Sequence, residues 1–240
     1  MRGLSGSALK CIAIVTRLID HIGAAVLARL LIAGEGGEAL YSLYYTTRTI
    51  GRIAFPIFCF LLVEGFEHTG NRKKYALRLL AFALISEAPF DLAFSSSVIE
   101  YAHQNVFFTL FIGVMTMMAF RVVEEKTEWD PIFRGAALAL ILFAGMGGAY
   151  FMRTDYDAKG VMCIMALYIF RKMRGPQILA GCLAFCWWEL AALVAFLPIA
   201  FYNGKRGWNI RYIFYVFYPL HLLVLYFVCV WMGIAGIPAV

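Results

Sequence analysis

Apolar residues along this chain come in long blocks rather than in alternation. The blocks cover 10–33, 48–68, 76–95, 105–123, 133–152, 157–173, 177–201 and 211–233, separated by short polar stretches. A helix needs roughly 20 apolar residues to cross a bilayer, and 157–173 is the shortest block that approaches this. In lipid the backbone polar groups must be satisfied within the segment, so each block predicts a helix. No period-two pattern points to a barrel. The expected fold is all-α: a polytopic membrane protein of about eight transmembrane helices, with 1–240 as one membrane domain. No internal repeat, low-complexity stretch or interdomain linker interrupts the blocks.

The polar stretches set the sides. With the N-terminus in the cytoplasm, Lys and Arg gather in inner loops, above all in "NRKK" (71–74) and "RKMR" (171–174). This is the inside-positive bias. Arg29, Arg48, Arg153 and Lys159 then fall on the outer side. So does the segment "YNGKRGWNIR" (202–211), whose Lys205, Arg206 and Arg211 break the pattern. Either the crossings near 157–173 differ, with that segment merged or re-entrant, or these charges bind something.

Composition sharpens the class. The chain is 62% hydrophobic and 15% charged, with a mean hydropathy of +0.77; soluble domains run at roughly 45–50% and about 25%. A multi-pass protein of the inner (cytoplasmic) membrane is expected, with the lipid bilayer as its first partner. The net charge of +6 does not indicate nucleic acid, because the basic residues sit in short loops between apolar blocks. The first block is too long, and too charged, for the core of a signal peptide. The six cysteines all lie inside apolar blocks, which predicts small buried residues rather than disulfides. Cys182 and Cys186 share a helix face, but too few ligands surround them, so no metal is expected.

Ionisable residues inside the blocks are the candidates for chemistry, since a central Arg or Asp costs about 2.5–3.5 kcal/mol on insertion scales. "TRLIDHIGA" (16–24) places Arg17, Asp20 and His21 in the first block. At 100° per residue, Lys10, Arg17 and His21 repeat at two and three turns, and Asp20 lies beside them. That face implies a polar cavity or a buried network. It reads either as an Arg–Asp pair with His21 a bystander, or as a reactive histidine oriented by charges, since histidine can act as a base near neutral pH. Other polar residues inside the blocks are Arg52; Glu64 with His68, and Glu87 with Asp91, each at i, i+4; Asn105; Glu189; and His221.

Long segments carry a family resemblance: "IDHIGA" (19–24), "GRIAFPIFCFLLVEGFEHTGNRKKYALRLLAFALISEAPFDLAF" (51–94), "QNVFFTLFIG" (104–113), "YNGKRG" (202–207) and "FYVFYPLHLL" (214–223). Together they resemble the TraX family, named for a conjugal-transfer protein that acetylates the pilin N-terminus. That family in turn resembles the type-3 membrane acyltransferases, whose first helix carries a basic residue and a histidine with ten residues between them. Lys10 and His21 fit that spacing. "AFPIFCFLLVEGF" and "NRKKYALR" resemble the Gly/Phe-rich and arginine-bearing segments that follow. Two departures are Glu64-Gly65 where Ser-Gly is usual, and about eight spans where larger relatives have roughly ten.

The resemblance implies a membrane-bound acetyltransferase using cytoplasmic acetyl-CoA as acyl donor. The acceptor would be a pilin-like peptide amine or an envelope-glycan hydroxyl. His21 would be the base, or would itself be acylated, with Arg17 and Asp20 as its supports. Arg52 and Asn105 are candidate donors to the oxyanion; they equally suit a salt bridge to Asp20 or Glu87, and a helix cap. Lys10, Lys205 and Arg206 would meet the donor's phosphates. Glu64, Glu87, Asp91 and His221 would line the acceptor. Glu87 and Asp91 also suit structural pairing with Arg78, Arg48 or Arg52, and His221 suits a packed hydrogen-bonding role. The rival classes are a small-solute or proton-coupled transporter and a non-catalytic conjugation or secretion assembly subunit.

Overall fold

Helices form along the apolar blocks, but several begin, end or break away from the expected positions. The computed structural model describes residues 3–208 and 211–239, without the side chains of 211–214. Arg211, expected as an outer-side charge, and the start of the aromatic run at 212–218 therefore have side chains outside the described residues. The helices are α1 (Gly6–Ile22), α2 (Ala28–Ile32), α3 (Glu38–Gly51), α4 (Ala54–His68), α5 (Arg72–Ser95), α6 (Val106–Glu124), α7 (Pro131–Phe151), α8 (Asp157–Ile169), α9 (Arg174–Cys186), α10 (Phe196–Ala200) and α11 (Arg211–Trp231). A π turn (Gly23–Leu27) joins α1 to α2, and a 3₁₀ turn (Leu190–Ala195) leads into α10. Among the described residues no strands form; Leu4–Tyr202 and Gln104–Thr154 make isolated bridges.

Among the described residues, four helical rods are long and apolar enough to cross a membrane: Gly6–Ile32, Glu38–His68, Val106–Glu124 and Pro131–Phe151. α5 carries more charge, and α8, α9 and α10 are shorter. At 1.5 Å per residue, the 13 residues of α8 reach about 20 Å, less than the bilayer core.

Two expected boundaries move. The stretch 38–47 was expected outside a span, yet α3 begins at Glu38. Its Thr residues make it look polar, but their hydroxyls bond back into the helix: Thr46 to Ser42 O, Thr47 to Tyr44 O and Thr49 to Tyr45 O, each at 2.8 Å. The block 177–201, expected as one helix, breaks at 187–189. Glu189 there adopts a non-helical backbone (φ −150°, ψ 77°).

The chain forms two compact units. One comprises Met1–Phe58, Leu84–Tyr101 and Phe185–Val240; the other comprises Cys59–Ala83 and Ala102–Ala184.

The second unit is built on α6, α7 and α8, which pack on one another. Gly113 leaves room for Ile164, and Gly145 for Thr116. The outward face of α7 presents Ile132, Phe133, Leu140, Phe143 and Phe151. At one end Arg171 reaches Glu124 (2.6 Å) and stacks over Tyr168 (4.0 Å), while Arg121 reaches Glu67 (2.9 Å).

In the first unit α1 packs against α3 and α11. The α1–α3 approach is close because Gly51 faces Asp20 and Gly23 faces Thr47; a Cβ at either glycine would overlap its neighbour. Small residues let helices in membranes meet this closely. The N-terminal end of α1 is held by the loop at 201–208. Leu4 N bonds Phe201 O, Gly6 N bonds Lys205 O and Ser7 N bonds Arg206 O, at 2.8, 2.8 and 3.0 Å. Those carbonyls satisfy amides that a helix start leaves unpaired. Asn203 Nδ2 donates to Gly3 O (2.8 Å), and Gly204 and Gly207 adopt positive φ so that the loop can turn.

This contact bears on the side of Lys205 and Arg206, which the charge pattern left open. The loop lies at the same end as the start of α1, not at the opposite one. The physical reason is the break at 187–189. Glu189 pairs with Arg52, next to Gly51, which packs on Asp20 well inside α1. From that depth Leu190–Ala200 returns to the α1 start instead of completing a crossing. With the N-terminus in the cytoplasm, the loop no longer breaks the inside-positive pattern.

Candidate functional site

Arg17, Asp20 and His21 all lie on the buried side of α1, each at most 7% exposed. Asp20 is bridged on both oxygens: Oδ2 accepts from Arg17 Nη1 at 3.2 Å, and Oδ1 from Arg48 Nη1 at 2.7 Å. Arg48 comes from α3, and the Gly51 contact brings that helix close enough for it to reach. Arg48 was expected as an outer loop charge; it is a member of this cluster. Lys10, half-buried, lies three turns earlier on α1.

His21 meets His221 of α11. His21 Nδ1 and His221 Nε2 are 2.7 Å apart, and His221 Nδ1 lies 2.8 Å from Phe217 O. A carbonyl only accepts, so His221 carries its proton on Nδ1. In the neutral pair its Nε2 then accepts from His21 Nδ1–H. The lone pair of His21 is left on Nε2. The hydrogen-bond network thus assigns both tautomers. Aromatic rings wall the pair. Phe94 and Tyr218 approach His21 edge-on at 5.3 and 5.9 Å, and Phe217 stacks on His221 at 4.5 Å.

Arg52 sits at the interruption between α3 and α4, where Arg52 N and Ile53 N bond three residues back. Its Nε pairs with Glu189 Oε2 at 3.1 Å. The salt-bridge partner expected for Arg52 was Asp20 or Glu87, but Asp20 is already taken by two arginines. Two helix interruptions, at 52–53 and 187–189, therefore face each other through one ion pair. Irregular backbone at membrane depth requires such protein partners.

α5 contributes Glu87 and Asp91 and runs on through Pro89. Asp91 is 1% exposed; its Oδ2 accepts from Glu100 N at 2.8 Å, while its Oδ1 has no hydrogen-bond partner among the described residues. Arg48 and Arg52, two of the expected structural partners, are occupied by Asp20 and Glu189 instead. Asp91 and Phe94 are three residues apart, so the carboxylate shares the α5 side whose Phe94 touches His21. Lys205 and Arg206 use their backbone to hold α1 and expose their side chains.

Two expected site residues belong to the other unit. Asn105 caps α6, accepting from Phe107 N at 3.0 Å, and donates to Ala83 O at 2.8 Å. Glu64 lies 3.9 Å from Arg174.

Sequence reading missed three features. The His21–His221 link joins residues 200 apart. Arg48 was masked by its neighbouring polar stretch. Arg29 was counted as a topology charge, yet it is fully buried. Its signal was available, since "AVLARLLIA" surrounds it with apolar residues.

The chain is 29% identical over 236 residues to the "Probable fimbrial assembly protein FimC, serogroup H1" of Dichelobacter nodosus, covering 90% of this chain and 92% of that protein. No solved structure matches. The sequence profile described as "TraX protein" matches residues 5–229, which takes in α1, the 201–208 loop and His221. The chain belongs to the TraX family.

Proposed function

We propose that the protein is a membrane acetyltransferase that moves an acetyl group from cytoplasmic acetyl-CoA to an envelope acceptor, with His21 as general base. The observation that carries this reading is the His221–His21 chain, which fixes a buried imidazole with its lone pair on Nε2. As the acceptor attacks the thioester carbonyl, its proton passes to His21 Nε2. The C–S bond then breaks, and the leaving thiolate takes a proton from the imidazolium. Asp20 keeps Arg17 and Arg48 beside the histidine, where their charge favours the developing oxyanion. Arg52 and Asn105 were the residues expected for that role, but Arg52 is held by Glu189 and Asn105 caps α6, so Arg48 is the better candidate. Lys10, Lys205 and Arg206 gather at the α1 start, about 16 Å along the helix from His21 for Lys10. That separation suits phosphates at the surface and a pantetheine arm reaching inward. The name of the Dichelobacter relative points to fimbrial assembly, which favours a pilin-type amine over a glycan hydroxyl.

The test is radiolabelled acetyl-CoA with the purified protein and a peptide bearing a free N-terminus. Transfer to the peptide is expected. General-base contributions are about 10²–10⁴-fold, so His21→Ala should lose activity on that scale, and His221→Ala should lose a smaller part. Wild-type-like turnover in His21→Ala would overturn the base assignment. A second reading, a solute or proton-coupled transporter, draws on the facing helix interruptions, since transporters bind at discontinuous helices. Solute flux in liposomes without any acetylated product would favour it.

A further inference from the structure

We propose that Arg29 is a positioning residue that sets the geometry of the His21–His221 pair. Arg29 is fully buried, and among the described residues no carboxylate pairs with it. Its guanidinium serves acceptors on four pieces of chain. Nη1 donates to Ala25 O (2.7 Å) in the π turn that directly follows α1 and His21. Nη1 also donates to Ala93 O (2.6 Å), whose neighbour Phe94 forms the edge against the His21 ring. Cys229 Sγ, two turns beyond His221 on α11, lies 3.8 Å from Nη1 and itself donates to Ala25 O. Nε donates to Ile237 O (2.6 Å), and Nη2 to Ser96 Oγ (3.0 Å).

A planar fork with five donors is the side chain that can serve these directions together; a lysine ammonium is a compact point charge with three donors. The acceptors are what hold the histidines. The π turn sets how α1 ends after His21, Ala93 fixes the Phe94 wall, and Cys229 ties in the helix that carries His221. The segment after α11 joins the same knot: Ser96 Oγ donates to Ile237 O (3.3 Å), and Ala239 N to Phe94 O (2.8 Å). Arg29 thus acts on the site through backbone, without touching either ring. Its importance for turnover rests on the acyl-transfer reading of His21, whereas its importance for the histidine tautomers does not.

The experiment compares wild type, Arg29→Lys and the milder Ser96→Ala in the full-length protein. Each is prepared with ¹⁵N-labelled histidine, and the His21 and His221 signals are assigned with His221→Ala. In wild type, both histidines should appear protonated at Nδ1. Arg29→Lys should lose that signature at His21 while remaining monodisperse and helical. Its kcat should fall about 10- to 100-fold, the scale of an ångström-level misplacement. The donor KM should stay within about twofold, since donor binding is elsewhere. Ser96→Ala should shift the same signals less. Unchanged tautomers in Arg29→Lys would overturn the proposal. So would turnover lost only in proportion to unfolded protein, or, should Arg29→Lys not fold, unchanged tautomers in Ser96→Ala. A wild-type protein that transfers no acetyl group would remove the catalytic reading and leave the tautomer comparison decisive.

Discussion

At the scale of single residues, Asp20 holds the largest electrostatic stake. It is buried, accepts from two arginines and leaves neither oxygen unused. Removing one partner of a buried ionic cluster costs about 3–5 kcal/mol, because the remaining charges lose their compensation. Asp20→Asn keeps the shape and removes the charge, so Arg17 and Arg48 would repel across a neutral amide. We expect thermal unfolding of Asp20→Asn in detergent to move markedly downward. Arg48→Gln should cost less, because Arg48 is 27% exposed at its side chain and Arg17 would still pair with Asp20. Equal stability of Asp20→Asn and wild type would show that water already screens the cluster.

At the scale of elements, the α1–α3 crossing is the contact on which the site depends. Gly51 leaves no room for a side chain because the Asp20 carboxyl occupies that space. Overpacking at a tight contact costs about 1–3 kcal/mol. Gly51→Ala should therefore separate the two helices, lengthen the Arg48–Asp20 bond and lower both stability and activity. Gly147 on α7 is the internal control: a Cβ there meets nothing within 4 Å. Away from such contacts substitutions stay within about 0.5 kcal/mol, so Gly147→Ala should leave the melting temperature unchanged. Similar losses in both variants would mean that the α1–α3 crossing does not govern the response. The interruptions at 52–53 and 187–189 follow the same logic. At each, backbone amides bond three residues back (Arg52 to Thr49, Ile53 to Ile50, Trp188 to Phe185), and the Arg52–Glu189 pair links the two.

At the scale of the whole molecule, the pairing of residues 3–7 with 201–208 fixes which loops share a face. The α1–α2 rod is 27 residues, or about 40 Å, long, so the turn at 34–37 lies at the far end. Single cysteines at Lys205 and at Glu35, in a background lacking the native cysteines, should label with an impermeant reagent from opposite sides. Lys205→Cys should react from the cytoplasmic side, as the inside-positive rule requires for the α1 start. Labelling of both positions from the same side would contradict the helical path through the first unit.

The membrane class, the helical content and the candidate face on α1 were legible before any coordinates. These follow from local quantities: apolar run length, the cost of charge in lipid and the 100° turn of the helix. The sequence also carried the family, because "IDHIGA", "YNGKRG" and "YPLHLL" are readable without coordinates. Tertiary structure alone decided which polar residues meet. Asp20 chose Arg48 over Arg52, since Gly51 sets the depth at which α3 crosses α1. His21 found His221 from the far end of the chain, and Arg29 became a buried knot instead of a loop charge. The broken 177–201 segment hid its path for the same reason: hydropathy records how apolar a stretch is, while Glu189 and its partner Arg52 decide where it turns back.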